Sequence, residues 1–333
     1  MQPRSYTHEQ LQAEASRLFI SLEKTHRSMG YCLQIAHKTL EINERKKEQG
    51  AIILAHSYQT PEIMYGVADF LGDSYGLSTI AAETDAKKII FCSVHFMGET
   101  AKMLSPLKEV LVPAVAGCSL AESITADEVR HLKAKYPGVP VVCYVNTSAA
   151  VKAESDICCT SANAIRIIES LPNDQIIFIP DKLMGENIQK QTNKQLILWD
   201  GTCVVHEQFT RETAEKIRAS HPDVKILAHL ECSSSLVEVA DMVGSTSDML
   251  RYVKEYNPPH VMLITECGIT DRVKTEFPDK HIVGACQLCP FMKQITLDGI
   301  LTALRNPQPE QIITIPKNIL DKAHASLQKM MTL

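Results

Sequence analysis

The sequence predicts an α/β protein built from three copies of one parallel-stranded unit, and three observations carry that expectation. Its short apolar runs are continuous rather than alternating, as strands buried on both faces of a parallel sheet require. Stretches of helical length separate those runs, which suits crossover connections. Residue patterns return along the chain at a fixed period, the mark of a repeated unit.

Taken in order, residues 8–49 are polar and helix-prone and close on Glu44-Arg-Lys-Lys-Glu-Gln-Gly50, with Gly50 as the helix stop. Strands are expected at 51–56, 88–94, 110–115, 139–145, 175–180, 195–200, 224–229, 261–265 and 281–285, with helices between them. No segment reads as a long linker. Ala55-His56 returns as Ala228-His229, 173 residues on, and Val67-Ala-Asp-x-x-Gly72-x-Ser74 as Val239-Ala-Asp-x-x-Gly244-x-Thr246, 172 residues on. A middle copy lies between: Phe96-Met-Gly-Glu99 returns as Leu183-Met-Gly-Glu186 after 87 residues, and Ser161 takes the place of Ser74 and Thr246. The third Met-Gly-Glu copy is reduced to Cys267-Gly-Ile-Thr. The unit is about 86 residues long. It divides the chain into a first repeat at 1–120 with a helical N-terminal extension, a second at 121–206 and a third at 207–292. The segment 293–333 is expected to pack on the first.

Composition narrows the function. With 34 basic and 39 acidic residues among 333, the formal charge is −5, which offers no footprint for nucleic acid or an anionic membrane. Aromatic residues at 5% argue against base-stacking platforms. The N-terminus lacks a basic and then apolar leader, and no apolar window is long enough to span a bilayer. A cytoplasmic protein is therefore expected, its eleven cysteines thiols rather than bridges. Gly-x-Gly-x-x-Gly, P-loop, His-Glu-x-x-His and Gly-x-Ser-x-Gly motifs are all absent from the sequence.

The repeat selects among the cysteines. Each unit ends in an apolar run followed by a loop with one cysteine: Cys118, Cys203 and Cys289, spaced 85 and 86 residues apart. Ligand sites of open α/β units form beyond the carboxyl ends of the strands, so three packed units would bring three thiols to one point. Three thiolates suit a 4Fe–4S cluster with one iron left open; zinc on the same three thiolates, or three core cysteines in like surroundings, are the alternatives. Cys286 of Cys286-x-x-Cys289 falls outside the repeat and reads as a spare. Cys32, Cys92, Cys143, Cys158, Cys159, Cys232 and Cys267 read as core packing.

Strand ends carry further chemistry. His56-Ser-Tyr58, Tyr144-Val-Asn146 and His229-Leu-Glu231 close the leading strands of the three units. Polar groups at buried strand ends are costly unless satisfied, so their recurrence points to a shared cavity. Ser74, Ser161 and Thr246 each precede a helical stretch, where a hydroxyl either caps the helix or seats a carboxylate or phosphate. Matched positions in three copies favour anion seats and a small, multiply anionic substrate.

Together, His56-Ser-Tyr-Gln, Gly72-Asp-Ser74, His95-Phe-Met-Gly-Glu-Thr-Ala-Lys102, Tyr144-Val-Asn-Thr-Ser-Ala-Ala-Val-Lys152, Pro180-Asp-Lys, Gly201-Thr-Cys-Val-Val-His206, Val243-Gly-Ser-Thr-Ser247 and Cys286-x-x-Cys289-Pro-x-Met292 resemble the quinolinate synthase family. The resemblance runs in order from about residue 50 to 292; Tyr75-Gly76 departs from it where Leu and Glu or Gln are expected. It implies three αβα sandwich domains related by pseudo-threefold symmetry, with the active site at their common interface. It also implies a 4Fe–4S cluster on Cys118, Cys203 and Cys289. The implied reaction condenses iminoaspartate, supplied by L-aspartate oxidase, with dihydroxyacetone phosphate to give quinolinate in NAD synthesis. On that chemistry Glu231 is expected as general acid/base, with Tyr58 and His229 moving protons. His56, Ser74, Tyr144, Asn146, Ser161 and Thr246 are expected to hold carboxylates and phosphate. His206 would orient substrate or support the cluster.

Overall fold

The computed structural model describes residues 4–284 and 286–333. Met1, Gln2 and Pro3, which open the first repeat, and Ala285, which ends the ninth strand expectation, lie outside the described residues. Twelve strands form three sheets among the described residues. The first holds β1 (Ala51–His56), β2 (Phe70–Gly72), β3 (Lys88–Cys92) and β4 (Glu109–Leu111). The second holds β5 (Val141–Tyr144), β6 (Ile157–Cys159), β7 (Gln175–Ile179) and β8 (Gln195–Leu198). The third holds β9 (Lys225–His229), β10 (Met242–Gly244), β11 (His260–Ile264) and β12 (His281–Ile282).

Every strand pairing in these sheets is parallel, and the spatial order is the same in each: second, first, third, fourth. Helices flank each sheet, so the fold is the expected α/β architecture of three αβα units. Burial of the central strands explains their unbroken apolar runs: β5 is buried throughout, and β9 and β11 at all but their first residues. In that arrangement the strand order, not the strand direction, reverses between the first and third strands of each sheet, the point at which a crevice opens at their carboxyl ends.

The sequence expectation contains nine of the twelve strands. The other three are β2, β6 and β10, three-residue strands at one edge of each sheet. They are too short for a pattern, and Phe70 of β2 is 42% exposed. A repeated aspartate introduces each. Asp69, Asp156 and Asp241 accept hydrogen bonds from the backbone N–H of Ile53, Val141 and Ile226 on the neighbouring strands, at 2.8, 2.8 and 2.9 Å. The backbone N–H groups of these aspartates donate to the carbonyls of the same three residues. The aspartate of the Val-Ala-Asp repeat, matched by Asp156 of Glu154-Ser-Asp in the second unit, is thus the clamp that starts each edge strand.

The Met-Gly-Glu repeat has a packing cause. A Cβ on Gly98 would lie 2.6 Å from Val112 Cγ1, and one on Gly185 would lie 2.4 Å from Leu198 Cδ2, so both helices need glycine to sit on their own sheets. Gly268 is different. A Cβ there would lie 2.3 Å from the Ser57 carbonyl and 2.7 Å from Tyr58 Cα. The third glycine therefore does not replace the other two; it lets the third repeat approach the Tyr58 loop of the first.

Outside the repeats, the helices His8–Leu22 and Met29–Glu48 pack on the first core, and Gly50 ends the second of them with φ of +57°. The expectation that 293–333 packs on the first repeat needs correction. Helix Leu297–Arg305 does so, its Ile300, Ala303 and Leu304 joining that core. Helix Lys317–Thr332 instead buries Ala323, Leu327 and Met330 in the core of the second repeat. The physical reason is its apolar stripe, which matches the uncovered face beside β6: Ser326 Oγ donates to the Lys152 carbonyl at 3.0 Å.

Candidate functional site

Three loops, one from each repeat, are built to the same plan. The backbone N–H of His95, Lys182 and Cys267 donates to the carbonyls of Ala116, Gly201 and Gln287, at 2.8, 2.8 and 3.0 Å. Each of those carbonyls lies two residues before a cysteine: Cys118, Cys203 and Cys289. The cysteine carbonyls then accept from the N–H groups of Glu122, Glu207 and Lys293 at the next turn. All three cysteines face one cavity. Burial pushes the Cys118 thiol up to about 12 and pushes the Cys203 and Cys289 thiols upward too, the nearby Lys293 offsetting only part of the effect at Cys289. No other cysteine lines this cavity among the described residues.

The expectation that all eleven cysteines are thiols fails at two of them. Cys267 and Cys286 are joined in a disulfide, with Cα atoms 5.0 Å apart. The parallel bridge between Glu266 and Gln287 brings these two residues side by side, a juxtaposition with no trace in the local sequence. The pairing ties Cys286 away from the cavity and leaves Cys289 facing it.

Around the thiols stand all the polar residues expected there: His56, Tyr58, Ser74, Tyr144, Asn146, Ser161, His206, His229, Glu231 and Thr246. The hydroxyls are not helix caps. Asp73 caps the helix that begins at Ser74, accepting from Gly76 N at 2.8 Å, and Ser245 caps the helix that begins at Thr246. In the second repeat the helix begins at Ala164 with Asn163, not Ser161, at the position before it, so Ser161 is not a cap either. Relieved of capping, the three hydroxyls are available to a ligand beside the first-turn N–H groups. Asn146 Oδ1 is buried without a hydrogen-bond partner, an acceptor awaiting a donor.

Glu231 is the hub. It is 3% exposed, accepts from Tyr144 Oη at 2.5 Å on Oε1, and pairs through Oε2 with His206 Nδ1 at 2.8 Å. Burial by itself would raise its carboxyl. The neighbouring His206 and His229 and the hydrogen bonds from His206 and Tyr144 outweigh that and hold it below the usual carboxylate range. Burial and the Glu231 charge push the phenols of Tyr144 and Tyr58 well up, so both keep their protons. His206 Nε2 meets Thr265 Oγ1 at 3.0 Å, and Thr265 Oγ1 meets Tyr58 Oη at 2.7 Å. A continuous chain of exchangeable protons thus runs Tyr58–Thr265–His206–Glu231–Tyr144 and joins all three repeats. Thr265 is absent from the sequence-derived set. Its only signal there is its place directly after the apolar run of β11.

His56 and His229 repeat one geometry. Nδ1 of His56 accepts from Tyr58 N at 3.1 Å, and Nδ1 of His229 accepts from Glu231 N at 3.3 Å. An amide on Nδ1 leaves the proton of a neutral ring on Nε2, so each imidazole offers an N–H donor without a charge. Burial pushes His56 down to about 3 and His229 to about 4. Their NMR signals should therefore stay unshifted from about pH 8 to 5, the range in which a free imidazole titrates. Movement through a midpoint near 6.5 would show that water reaches them. The sign for stability follows. Below about pH 6.5 the unfolded chain takes protons that these two rings refuse, so each withdraws stability as pH falls toward its folded value.

The loop bearing Tyr144 and Asn146 has an internal anchor. Lys152, fully buried, donates from Nζ to the Val145 carbonyl at 2.7 Å and also to the Thr147 carbonyl. Lys152→Met should lower the stability measured by denaturant unfolding by roughly 1–3 kcal/mol for each carbonyl left without a donor. An unchanged midpoint would mean that the loop holds itself.

Residues 40–332 match the family described as quinolinate synthetase A protein. The chain belongs to that family. Its relatives include a quinolinate synthase of Sinorhizobium fredii, 48% identical over 293 residues that cover 88% of this chain and 81% of the relative. Quinolinate synthase 2 of Mesorhizobium japonicum is 49% identical, covering 87% of this chain and 89% of the relative. A quinolinate synthase of Xylella fastidiosa is 47% identical, covering 88% and 86%. Residues from most of the motifs that resemble the family, among them Ser74, Met97, Tyr144, Cys203, Thr246 and Cys289, line the single cavity. No helix among the described residues is long and apolar enough to cross a membrane.

Proposed function

We propose that this chain is a cytoplasmic quinolinate synthase of NAD biosynthesis, condensing iminoaspartate with dihydroxyacetone phosphate to quinolinate, phosphate and two waters. The observation that carries the reading is the convergence of three equivalent cysteine loops on one cavity rich in neutral hydrogen-bond donors. Three thiols with no fourth cysteine beside them, among the described residues, fit a 4Fe–4S cluster held by Cys118, Cys203 and Cys289 with one iron free of protein ligand. When bound, that group supplies a Lewis acid for a carbonyl or hydroxyl oxygen.

The chain's own residues supply the rest. His56 and His229 donate from Nε2, and Ser74, Ser161 and Thr246 donate hydroxyls; these suit the carboxylates and phosphate of two small anions. Asn146 fixes orientation through its carboxamide. Glu231, ionised and buried, accepts the proton lost as the carbon–carbon bond forms. His206 Nδ1 is in contact with the same carboxylate, so the proton can pass through Thr265 toward Tyr58 and return to a leaving hydroxide. The walls of buried apolar and aromatic residues keep water away from the imine.

The test mixes anaerobic, iron-loaded protein with dihydroxyacetone phosphate and iminoaspartate generated in place by L-aspartate oxidase. Quinolinate should form in proportion to enzyme. Binding of both substrates with no quinolinate would make the chain a ligand sensor instead.

A further inference from the structure

A second kind of metal centre is written into the same wall. Cys203 Sγ, His206 Nδ1 and a carboxylate oxygen of Glu231 all lie within 4.8 Å of one another. His206 Nδ1 is 3.3 Å from the sulfur and 2.8 Å from Glu231 Oε2. Tetrahedral zinc, with bonds of about 2.0–2.3 Å, sets neighbouring donors roughly 3.3–3.6 Å apart. The sulfur is already at that distance from the imidazole; Glu231 needs to withdraw from His206 by about half an ångström and to settle roughly 3.5 Å from the sulfur, from which it now stands within 4.8 Å.

We infer that the cluster-free protein binds one zinc ion on Cys203, His206 and Glu231, and that this ion competes with cluster assembly by taking Cys203. Three features support the assignment. The set of one thiolate, one imidazole and one carboxylate is borderline-soft, and three protein ligands leave a fourth position facing the cavity. The two negative ligands cancel the charge of a divalent ion, so a buried neutral unit replaces a buried carboxylate. The outer shell is also in place. Thr265 Oγ1 stands 3.0 Å from His206 Nε2, where it can accept the N–H of the tautomer that ligates through Nδ1. Tyr144 Oη holds the other oxygen of Glu231 at 2.5 Å. Cys118 and Cys289 take no part. The mononuclear site stands independently of the proposed function; its competition with the cluster rests on that reading.

The experiment uses the full chain, freed of metal by a chelator under reducing conditions, with Co2+ as the probe. One equivalent should bind, give a thiolate-to-cobalt charge-transfer band and be displaced by Zn2+. Cys118→Ser and Cys289→Ser should keep the band, Cys203→Ser should abolish it, and His206→Gln and Glu231→Gln should each weaken binding by about 100-fold or more. Thr265→Val should weaken it by about 10- to 100-fold. Circular dichroism verifies that each variant is folded. Absence of the band in the parent protein would overturn the assignment. So would its loss in Cys118→Ser and Cys289→Ser together with survival in His206→Gln, which would put the ion on the three cysteines. Zinc-loaded protein should resist iron–sulfur reconstitution until chelated; unhindered reconstitution with zinc retained would overturn the competition. If zinc-free protein also fails to take up iron and sulfide, the cluster reading fails while the cobalt result keeps its meaning.

Discussion

Alanine at Cys118, Cys203 or Cys289 should strip the anaerobically reconstituted protein of its broad visible absorption and of about four bound irons per chain. The effect is expected to be all or none. A cluster held by three thiolates that loses one keeps two ligands in a cavity from which the remaining thiolates gain too little to stay ionised, since burial pushes all three thiols up. Cys286→Ala is the control, because its sulfur is bound to Cys267 rather than directed at the cavity. It should retain colour and iron. A colourless Cys286→Ala, or a coloured Cys289→Ala with its full iron content, would reassign the third ligand. Iron and sulfide analysis with visible spectroscopy decides the matter without any assay of turnover.

Glu231→Gln should leave that absorption intact and reduce turnover by about 10²- to 10⁴-fold, the usual loss on removing a general acid or base. Glutamine keeps the shape and accepts from Tyr144, but it cannot take a proton. Its amide also disrupts the pairing with His206, whose Nδ1 now meets the carboxylate at 2.8 Å. The measurement is kcat and KM for quinolinate formation by cluster-loaded variant and parent. A fall confined to KM would make Glu231 a binding group. Near-normal turnover would remove it from proton transfer and leave the Tyr58–Thr265–His206 chain without an acceptor.

Much of the site was legible because the repeat carries it. One cysteine per unit, a hydroxyl after each edge strand and polar residues after each leading strand stand at matched spacings along the sequence. What the spacing left open was the use of each group. Ser74, Ser161 and Thr246 could each still have been caps until Asp73 and Ser245 were seen capping two of the helices and Asn163, not Ser161, was found at the start of the third. Thr265 gave no signal because threonine at a strand end is ordinary. It gains meaning only from His206 and Tyr58, 59 and 207 residues distant in sequence.

By itself, then, the sequence determined the three parallel sheets, the unit length and the three cysteines, since each follows from apolar runs and spacings within one unit. Tertiary structure decided the rest: the carboxylate hub, the proton chain, the Cys267–Cys286 bond and the docking of helix Lys317–Thr332 on the second repeat. These depend on how three units face one another, which side-chain packing fixes and local pattern does not record. The cysteines show the division most clearly. Their spacing could single out three of the eleven, and only the packed structure could say which neighbours each of them meets.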